Sequence, residues 1–188
     1  VSLIYFLIFF VTSAYADVNV SLPDMTGFAK DSVNIPVIVS DLTGLGVYSY
    51  EYKLNIDSKV VHFIGVDSAK TLTEAWGATW INANNPGQIL IGNYGVNPLK
   101  NSGVLIFLSF TIIGQVGDST RLAFQDFQFN AGNPIAKIIN GSLKIIPNPI
   151  AVSFRTNLSY PVKILIDNFE KALPFDTTWF AGELHLIG

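Results

Sequence analysis

The side chains that most often carry out catalysis are few in this sequence and stand apart from one another. His62 lies in an apolar, strand-like run and His185 lies near the end of the chain. Neither has a serine or a carboxylate at a spacing typical of a catalytic triad. Asp57, Asp67 and Glu74 supply acids, but their spacing singles out no pair for glycoside cleavage. We therefore predict no catalytic site and a protein that is not an enzyme.

Motifs for metals and cofactors are also missing from the sequence. The chain has no cysteine, which excludes thiol catalysis and zinc-thiolate sites. It contains no H-E-x-x-H pair, no phosphate loop with its lysine and no EF-hand run of the form D-x-[DN]-x-[DN]-G. We expect no cofactor and no metal, with a calcium site assembled from separate loops left open as an alternative.

Two tryptophans offer binding chemistry, because flat aromatic rings stack on the faces of sugars. Trp76, in the segment Glu-Ala-Trp-Gly, is expected to be an exposed loop residue, and Trp80 follows it closely. Large aromatic residues also fill the cores of β-sandwiches. A carbohydrate-binding module that uses Trp76 or Trp80 to hold a polysaccharide is therefore one alternative function.

Composition and charge narrow the class of protein. The chain has 188 residues, 49% of them hydrophobic, and a formal net charge of -3. This is enough apolar material for one well-buried domain. Lysine and arginine are scattered without forming a basic stripe, so nucleic acid is not an expected partner.

Residues 1–16 resemble a secretory signal peptide. They carry no charge and end in Ala14-Tyr15-Ala16, which matches the small-x-small pattern cut by signal peptidase. The run is shorter than the roughly 20 apolar residues of a membrane span, and the usual basic start is missing. A retained N-terminal anchor is the alternative. Either interpretation predicts a secreted or cell-surface protein that touches the membrane only through this segment.

From residue 17 to residue 146 the hydrophobic pattern has a period of two, which is typical of strands. Turn signals rich in Gly, Pro, Asn and Asp separate the runs. The pattern predicts an all-β fold, a nine-stranded jelly-roll β-sandwich. The predicted strands are 17–22, 32–40, 47–56, 60–66, 79–83, 88–93, 103–113, 120–129 and 139–146.

The third of these strands shows the alternation most clearly. Its aromatic and aliphatic positions are expected to face the core, and they are Tyr48, Tyr50, Tyr52, Leu54 and Ile56. The residues between them, Ser49, Glu51 and Lys53, then face solvent.

Three irregularities are visible in other strands. The apolar parity changes between Phe124 and Phe127, which predicts a β-bulge near Gln125-Asp126. Pro36 predicts a sheet edge or a bend between sheets. Strand 103–114 is apolar on both faces, so we expect it in the middle of a sheet or under a loop.

The pattern changes after Pro147-Asn148-Pro149, and residues 147–149 are interpreted as a linker. Residues 150–188 carry a strand pattern of their own but are few for an independent core. We expect them to be part of a second, small β module. Their segments ILIDN (164–168) and PFDTTWFAGELHLI (174–187) weakly resemble a repeat of large bacterial exported proteins.

Six segments of the sandwich region follow one another at characteristic spacing. They are VNIPVIVSDLTGLGVYSYEYKLNID (33–57), IGVD (64–67), NPGQILIG (85–92), LIFLSFTIIG (105–114), LAFQDFQFN (122–130) and NGSLKI (140–145). Taken together, they resemble a cohesin domain across residues 18–146. The resemblance implies a nine-stranded jelly roll that binds dockerin modules and so attaches proteins to bacterial scaffolds or surfaces. It differs from the cellulosomal pattern at Ser49-x-Glu51, where Asn-x-Asp is usual, and at Ile56-Asp57-Ser58, where Tyr-Asp-Pro is usual.

In cohesins the dockerin-binding face comes from the third, fifth, sixth and eighth strands. Carried onto this sequence, the resemblance implies a partner-binding set of Ser49, Glu51, Lys53, Gln88, an exposed Leu90, Tyr94 and Gln125. Ala123 and Gln128 are expected on the same side of the eighth strand. The main hypothesis is therefore an exported, non-catalytic module that binds a dockerin-type partner.

Overall fold

The computed structural model describes residues 17–188, which form fifteen β-strands and no helix. The proposed signal segment, residues 1–16, lies outside the described residues. No helix of residues 17–188 is long and apolar enough to cross a membrane.

Eleven strands build a two-layer sandwich. They are β1 (Asp17–Ser21), β2 (Asp24–Phe28), β3 (Ser32–Val39), β4 (Ser49–Asn55), β5 (Val61–Asp67), β6 (Trp80–Asn85), β7 (Gln88–Tyr94), β8 (Gly103–Ile112), β9 (Ser119–Phe129), β10 (Ile135–Ile139) and β11 (Gly141–Ile146). One sheet has the order β10-β1-β3-β8-β5 and the other has the order β2-β11-β9-β4-β7-β6. The predicted all-β sandwich is confirmed.

The nine predicted strands become eleven because two segments change sheet midway. The first passes from β1 to β2 at Leu22-Pro23, and the last passes from β10 to β11 at Asn140. These segments run side by side, with β1 parallel to β10 and β2 parallel to β11. Counted once each, they restore nine strands. The halves that the sequence did not predict, β2 and most of β10, lack clean alternation.

The core lies between the two sheets and is filled by the inward residues of both. Tyr50, Tyr52 and Leu54 of β4 are buried, as the alternation predicts. Tyr48 is not part of this set, since its side chain is 46% exposed. It precedes the first paired residue of β4, and its backbone N–H donates to the Asn130 side chain instead of a neighbouring strand. The alternation therefore does not extend to it.

The predicted irregularities have clear structural counterparts. Between Glu51 and Lys53 of β4, the facing strand β9 carries one extra residue, and Asp126 there has φ 54°. This is the predicted β-bulge. Pro36 pairs only with β8, because β1 reaches no further than Ile38 along β3. It therefore lies on a locally free edge. Strand β8 lies between β3 and β5, with half of its residues buried and the other half partly buried.

Residues after the sandwich form two antiparallel pairs of strands. Strand β12 (Pro149–Phe154) pairs with β15 (Phe175–Phe180), and β13 (Lys163–Ile166) pairs with β14 (Phe169–Ala172). Pro149, predicted in the linker, is the first residue of β12. The break between the sandwich and the first of these strands is therefore only two residues long, at 147–148.

Candidate binding face

Four strands of the six-stranded sheet lie next to one another in the order β9-β4-β7-β6. They are the eighth, third, sixth and fifth strands when the sheet-switching segments are counted once. Antiparallel pairing places opposite residues of neighbouring strands on the same side of a sheet. The outward side chains of these strands therefore form continuous rows, which we call the four-strand face.

The first row runs through Glu51. Its partners by register are Gln128 on β9 and Gly92 on β7, and Gly92 pairs in turn with Trp80 on β6. The Gln128 Nε2 donates to Glu51 Oε1. This bond fixes the direction of the Glu51 carboxylate on an otherwise open surface.

The second row runs through Lys53, which pairs with Gln125 and with Leu90. The bulge turns Asp126 toward this row, and the Lys53 Nζ lies 3.0 Å from Asp126 Oδ2. Both side chains are partly exposed, so the pair adds little to stability. Leu90 is half-buried, not exposed as predicted, because it is in the interior of a four-strand surface.

The third row pairs Asn55 with Gln88, and the amides of both residues bond to Gln125 of the second row. Asn55 Nδ2 donates to Gln125 Oε1 at 3.2 Å, and Gln88 Nε2 donates to Asn55 Oδ1 at 3.1 Å. A further bond joins Gln88 Nε2 to Gln125 Oε1 at 3.3 Å. These amides are held by one another and offer a neutral hydrogen-bonding strip to a partner.

A groove opens at the end of the face nearest Ser49. It has a volume of about 340 Å³, and its lining includes Ser49, Glu51, Trp80, Gly92 and Tyr94. Trp80 is 57% exposed and Tyr94 is 79% exposed. Exposed rings of this size are common where one protein meets another.

The loop after β9 supports this end of the face. Asn130 Oδ1 accepts the N–H groups of Tyr48, at 2.8 Å, and of Ser49, at 3.1 Å. Its Nδ2 donates to the carbonyls of Gly46 and Asn133, both at 2.9 Å. One side chain therefore fixes the start of β4. Asn130 was not among the predicted site residues, although Asn is a common turn residue.

Two tyrosines lie directly beneath the face. Tyr50 and Tyr52 stack near Phe127, and neither hydroxyl has a hydrogen-bond partner within normal distances. Burial raises the pKa of Tyr52 well above its ordinary value, and the charge of Tyr50 adds to the effect. Burial likewise raises the pKa of Tyr50, although Thr73 and Asn93 nearby oppose the shift. Both rings are core, as predicted.

Trp76 is buried, which corrects the expectation that it is an exposed loop residue. Its side chain is 7% exposed, and its Nε1 donates to the Asn97 carbonyl at 3.0 Å. The loop between β5 and β6 folds inward, so that the Trp76 ring packs against Tyr50 in the core. A ring in this position has no face free for a sugar.

The predicted partner-binding residues thus share one side of the sheet, since Ser49, Glu51, Lys53, Gln88, Leu90, Tyr94 and Gln125 all belong to the paired rows. The structure adds Trp80, Asn55 and Asp126 to their surroundings. Of these, the sequence suggests Trp80 only for sugar binding. Asp126 could have been found from the parity change that predicts the bulge.

The two histidines lie away from this face. His62 is on β5 of the five-stranded sheet, where it pairs with Thr111 of β8. His185 contacts Asp167 Oδ2 at 2.6 Å and stacks on Trp179 with ring centroids 4.0 Å apart. The hydrogen bond to Asp167 raises the pKa of His185. Among residues 17–188, no cluster of three acidic or histidine side chains is arranged to hold a metal ion.

Comparison with known proteins agrees with this architecture. The model of the cohesin domain family matches residues 18–145, which is more than half of the chain. The chain has no match among curated proteins.

Several solved structures have a similar fold. The sixth cohesin of scaffoldin B from Acetivibrio cellulolyticus, solved with a dockerin, is 19% identical with a TM-score of 0.60, and the match covers 69% of this chain and 99% of that one. A non-cellulosomal cohesin from the archaeon Archaeoglobus fulgidus is 18% identical with a TM-score of 0.59, covering 70% and 92%. The OlpC cohesin of Clostridium thermocellum, in complex with a dockerin, is 22% identical with a TM-score of 0.58, covering 72% and 96%.

The family match covers both sheets of the sandwich, including all four strands of the face. The chain therefore belongs to the cohesin family.

Proposed function

We propose that the sandwich is a non-catalytic protein–protein interaction module that binds a dockerin through the four-strand face. One observation carries the proposal: seven residues selected from the sequence fall on adjacent strands, in register and on the same side of one sheet. The similar cohesins from Acetivibrio cellulolyticus and Clostridium thermocellum were solved with dockerins, which supports a partner of that class.

The chemistry of the face suits a folded protein partner. It combines exposed aromatic rings at one end, a half-buried leucine between the ends and a strip of amides at the other end. Interfaces of this kind place apolar anchors inside a polar rim and carry about one hydrogen bond per 100–200 Å². The amides are already ordered by mutual hydrogen bonds, so binding costs less side-chain entropy than it would on a mobile surface.

Isothermal titration calorimetry against dockerins encoded in the same genome tests the proposal. We expect at least one dockerin to bind, and Glu51→Lys to weaken that binding about tenfold or more. The matched control is Glu74→Lys. Glu74 is exposed in the loop between β5 and β6, and its side chain makes no hydrogen bond or ion pair within residues 17–188.

The control should bind as the wild type does. If no dockerin in the genome binds, or if reversal at Glu51 and at Glu74 has the same effect, the assignment is wrong.

A carbohydrate-binding function is the second candidate, and only Trp80 still supports it. Its ring is 57% exposed and lies beside hydrogen-bonding groups of Glu51 and Gln128. Retardation of the protein in gels that contain polysaccharide, abolished by Trp80→Ala, would favour this function. Unchanged migration in every polysaccharide, with dockerin binding intact, would remove it.

We also propose that the protein acts outside the cytoplasm. The support is the apolar segment that ends in Ala14-Tyr15-Ala16. Mass spectrometry of the protein isolated from its host would show a mature N-terminus at Asp17. A chain that remains uncleaved in the cytoplasmic fraction would contradict this part of the proposal.

A further inference from the structure

We propose that the groove beside Gly92 is a socket for one basic side chain, an arginine or a lysine, of the partner protein. This deepens the proposed function and rests on it. The socket joins Trp80, which the sequence suggests only for sugar binding, to Glu51 and Tyr94 of the partner-binding set.

Gly92 forms the floor of the socket. A methyl-sized group placed on its Cα would lie 3.6 Å from Glu51 Cβ and 4.0 Å from Trp80 Cε3. These are ordinary van der Waals contacts. The missing side chain therefore leaves a space about one methylene deep, bounded on one side by the indole ring and on the other by the stem of Glu51.

The walls of the socket suit a cation. Trp80 and Tyr94 are both strongly exposed. Trp80 of β6 pairs with Gly92, and Tyr94 follows Gly92 by two residues on β7. A cation within about 6 Å of an indole or phenol ring centroid is attracted by the ring quadrupole, most strongly by tryptophan. The alkyl part of lysine or arginine can also cover the apolar floor.

The charges of the face favour a cation over a neutral ligand. On the outward side of β4, β6, β7 and β9, the charged side chains are Glu51, Lys53, Asp126 and Arg121. Arg121 lies beyond the row of Asn55, at the end of the face opposite the groove. Lys53 and Asp126 neutralise each other at 3.0 Å. Glu51 takes part in no ion pair of the described chain, and Gln128, which also lines the groove, donates to its carboxylate. An unpaired negative charge therefore lies at the edge of the aromatic groove.

The geometry also provides a clean way to fill the socket. Gly92 does not have the left-handed φ at which a side chain is strained. Its Cβ position is free of clashes, so Gly92→Ala should fold normally while occupying the floor. Glu51→Gln removes the charge but keeps the shape. Glu74→Gln is the matched control, because it makes the same chemical change at an exposed site in the loop between β5 and β6.

The direct test uses small probes and does not depend on any dockerin. N-acetyl-arginine amide is titrated into the ¹⁵N-labelled protein, with N-acetyl-citrulline amide as the neutral isostere and cellobiose as the sugar. We expect the arginine probe to shift the Trp80 indole and Gly92 amide signals. Glu51→Gln should raise its apparent Kd about threefold or more, and Gly92→Ala should weaken it as well, whereas Glu74→Gln should have no effect.

Two results would overturn the socket. One is a citrulline or cellobiose response at these signals as strong as that of arginine, which would indicate a neutral ligand. The other is no response to arginine, or a response that Glu51→Gln leaves unchanged.

Dockerin titrations separate this outcome from the proposed function. A dockerin that binds the wild type while the arginine probe fails removes the socket and keeps the function. If the arginine response depends on Glu51 but no dockerin binds, the socket is kept and the proposed function is removed.

Discussion

Replacing Tyr52 by phenylalanine should stabilise the protein, contrary to the usual effect of changing a core residue. The Tyr52 side chain is 1% exposed, and its hydroxyl has no hydrogen-bond partner. In the unfolded chain water solvates that hydroxyl, so folding loses a hydrogen bond without replacing it. An unsatisfied buried group of this kind costs about 1–3 kcal/mol.

Phenylalanine keeps the packing that the ring provides. Tyr52 stacks on Phe127 with centroids 5.1 Å apart and meets Phe124 edge-on at the same distance. We therefore expect Tyr52→Phe to raise the free energy of unfolding by about 1 kcal/mol, or the melting temperature by about 2–4 °C. Tyr50→Phe is the comparison variant. Thr73, Thr79 and Asn93 lie near its hydroxyl, so its gain should be smaller.

The pH dependence provides a second readout of the same variant. Burial raises the pKa of Tyr52 in the folded state, so the folded form keeps its proton at pH values where the unfolded form loses it. The stabilisation is complete below the unfolded pKa of about 10 and is lost as the pH rises above it. Each such tyrosine lowers the free energy of unfolding by about 1.4 kcal/mol per pH unit in that range.

Urea denaturation between pH 7 and pH 11 measures both effects. Tyr52→Phe should be more stable at pH 7 and should lose stability less steeply above pH 10. A loss of 1 kcal/mol or more at pH 7 would show that the hydroxyl has a partner, and an unchanged slope at high pH would show that burial does not keep the proton on Tyr52. Either result would refute this reasoning.

Three further predictions concern other parts of the structure. Trp76→Ala should cost about 3–5 kcal/mol in denaturant unfolding, whereas Trp80→Ala should change stability by no more than about 0.5 kcal/mol; equal effects would contradict their assigned positions. Gly141→Ala should cost about 1–3 kcal/mol in the same assay, because its Cβ would overlap the carbonyl of Pro23 where the last strand changes sheet; an unchanged unfolding midpoint would show that the crossing can relax. Asp167→Asn should lower the pKa of His185 in an NMR titration, since the Asp167 hydrogen bond raises it. The stabilisation that comes from the charge on His185 is fully present just below the unfolded His pKa of about 6.5, and it is lost as pH rises through the higher folded value. Wild-type exchange protection of β13 and β14, which flank Asp167, should therefore decline over that range, and the variant should show a smaller decline.

The alternation of side chains predicted most of the sandwich because one buried face imposes a strict period of two. It placed Tyr50, Tyr52 and Leu54 in the core and located the bulge at Asp126 from a single change of parity. It missed the segments in which one strand serves both sheets. There the inward side changes at the crossing, so no single period describes residues 17–28 or 135–146.

Single aromatic residues outside strands were the least predictable. Trp76 follows no alternation, and its burial depends on how the loop between β5 and β6 returns across the core. Tyr48 continues the tyrosine pattern by one position, but the side chain of Asn130, far along the chain, takes its backbone N–H. Such long-range contacts are absent from any local pattern. The outward residues of β4 were predictable because the paired strands on both sides hold their direction.

The most direct test of dockerin binding through the four-strand face is a hydrogen-exchange footprint. The protein is compared with and without a dockerin from its own genome that calorimetry has shown to bind. We predict added protection in β4, β6, β7 and β9, and little change in β1, β3 and β8 of the opposite sheet. Protection confined to that opposite sheet, or to residues 149–188, would contradict the proposed binding face.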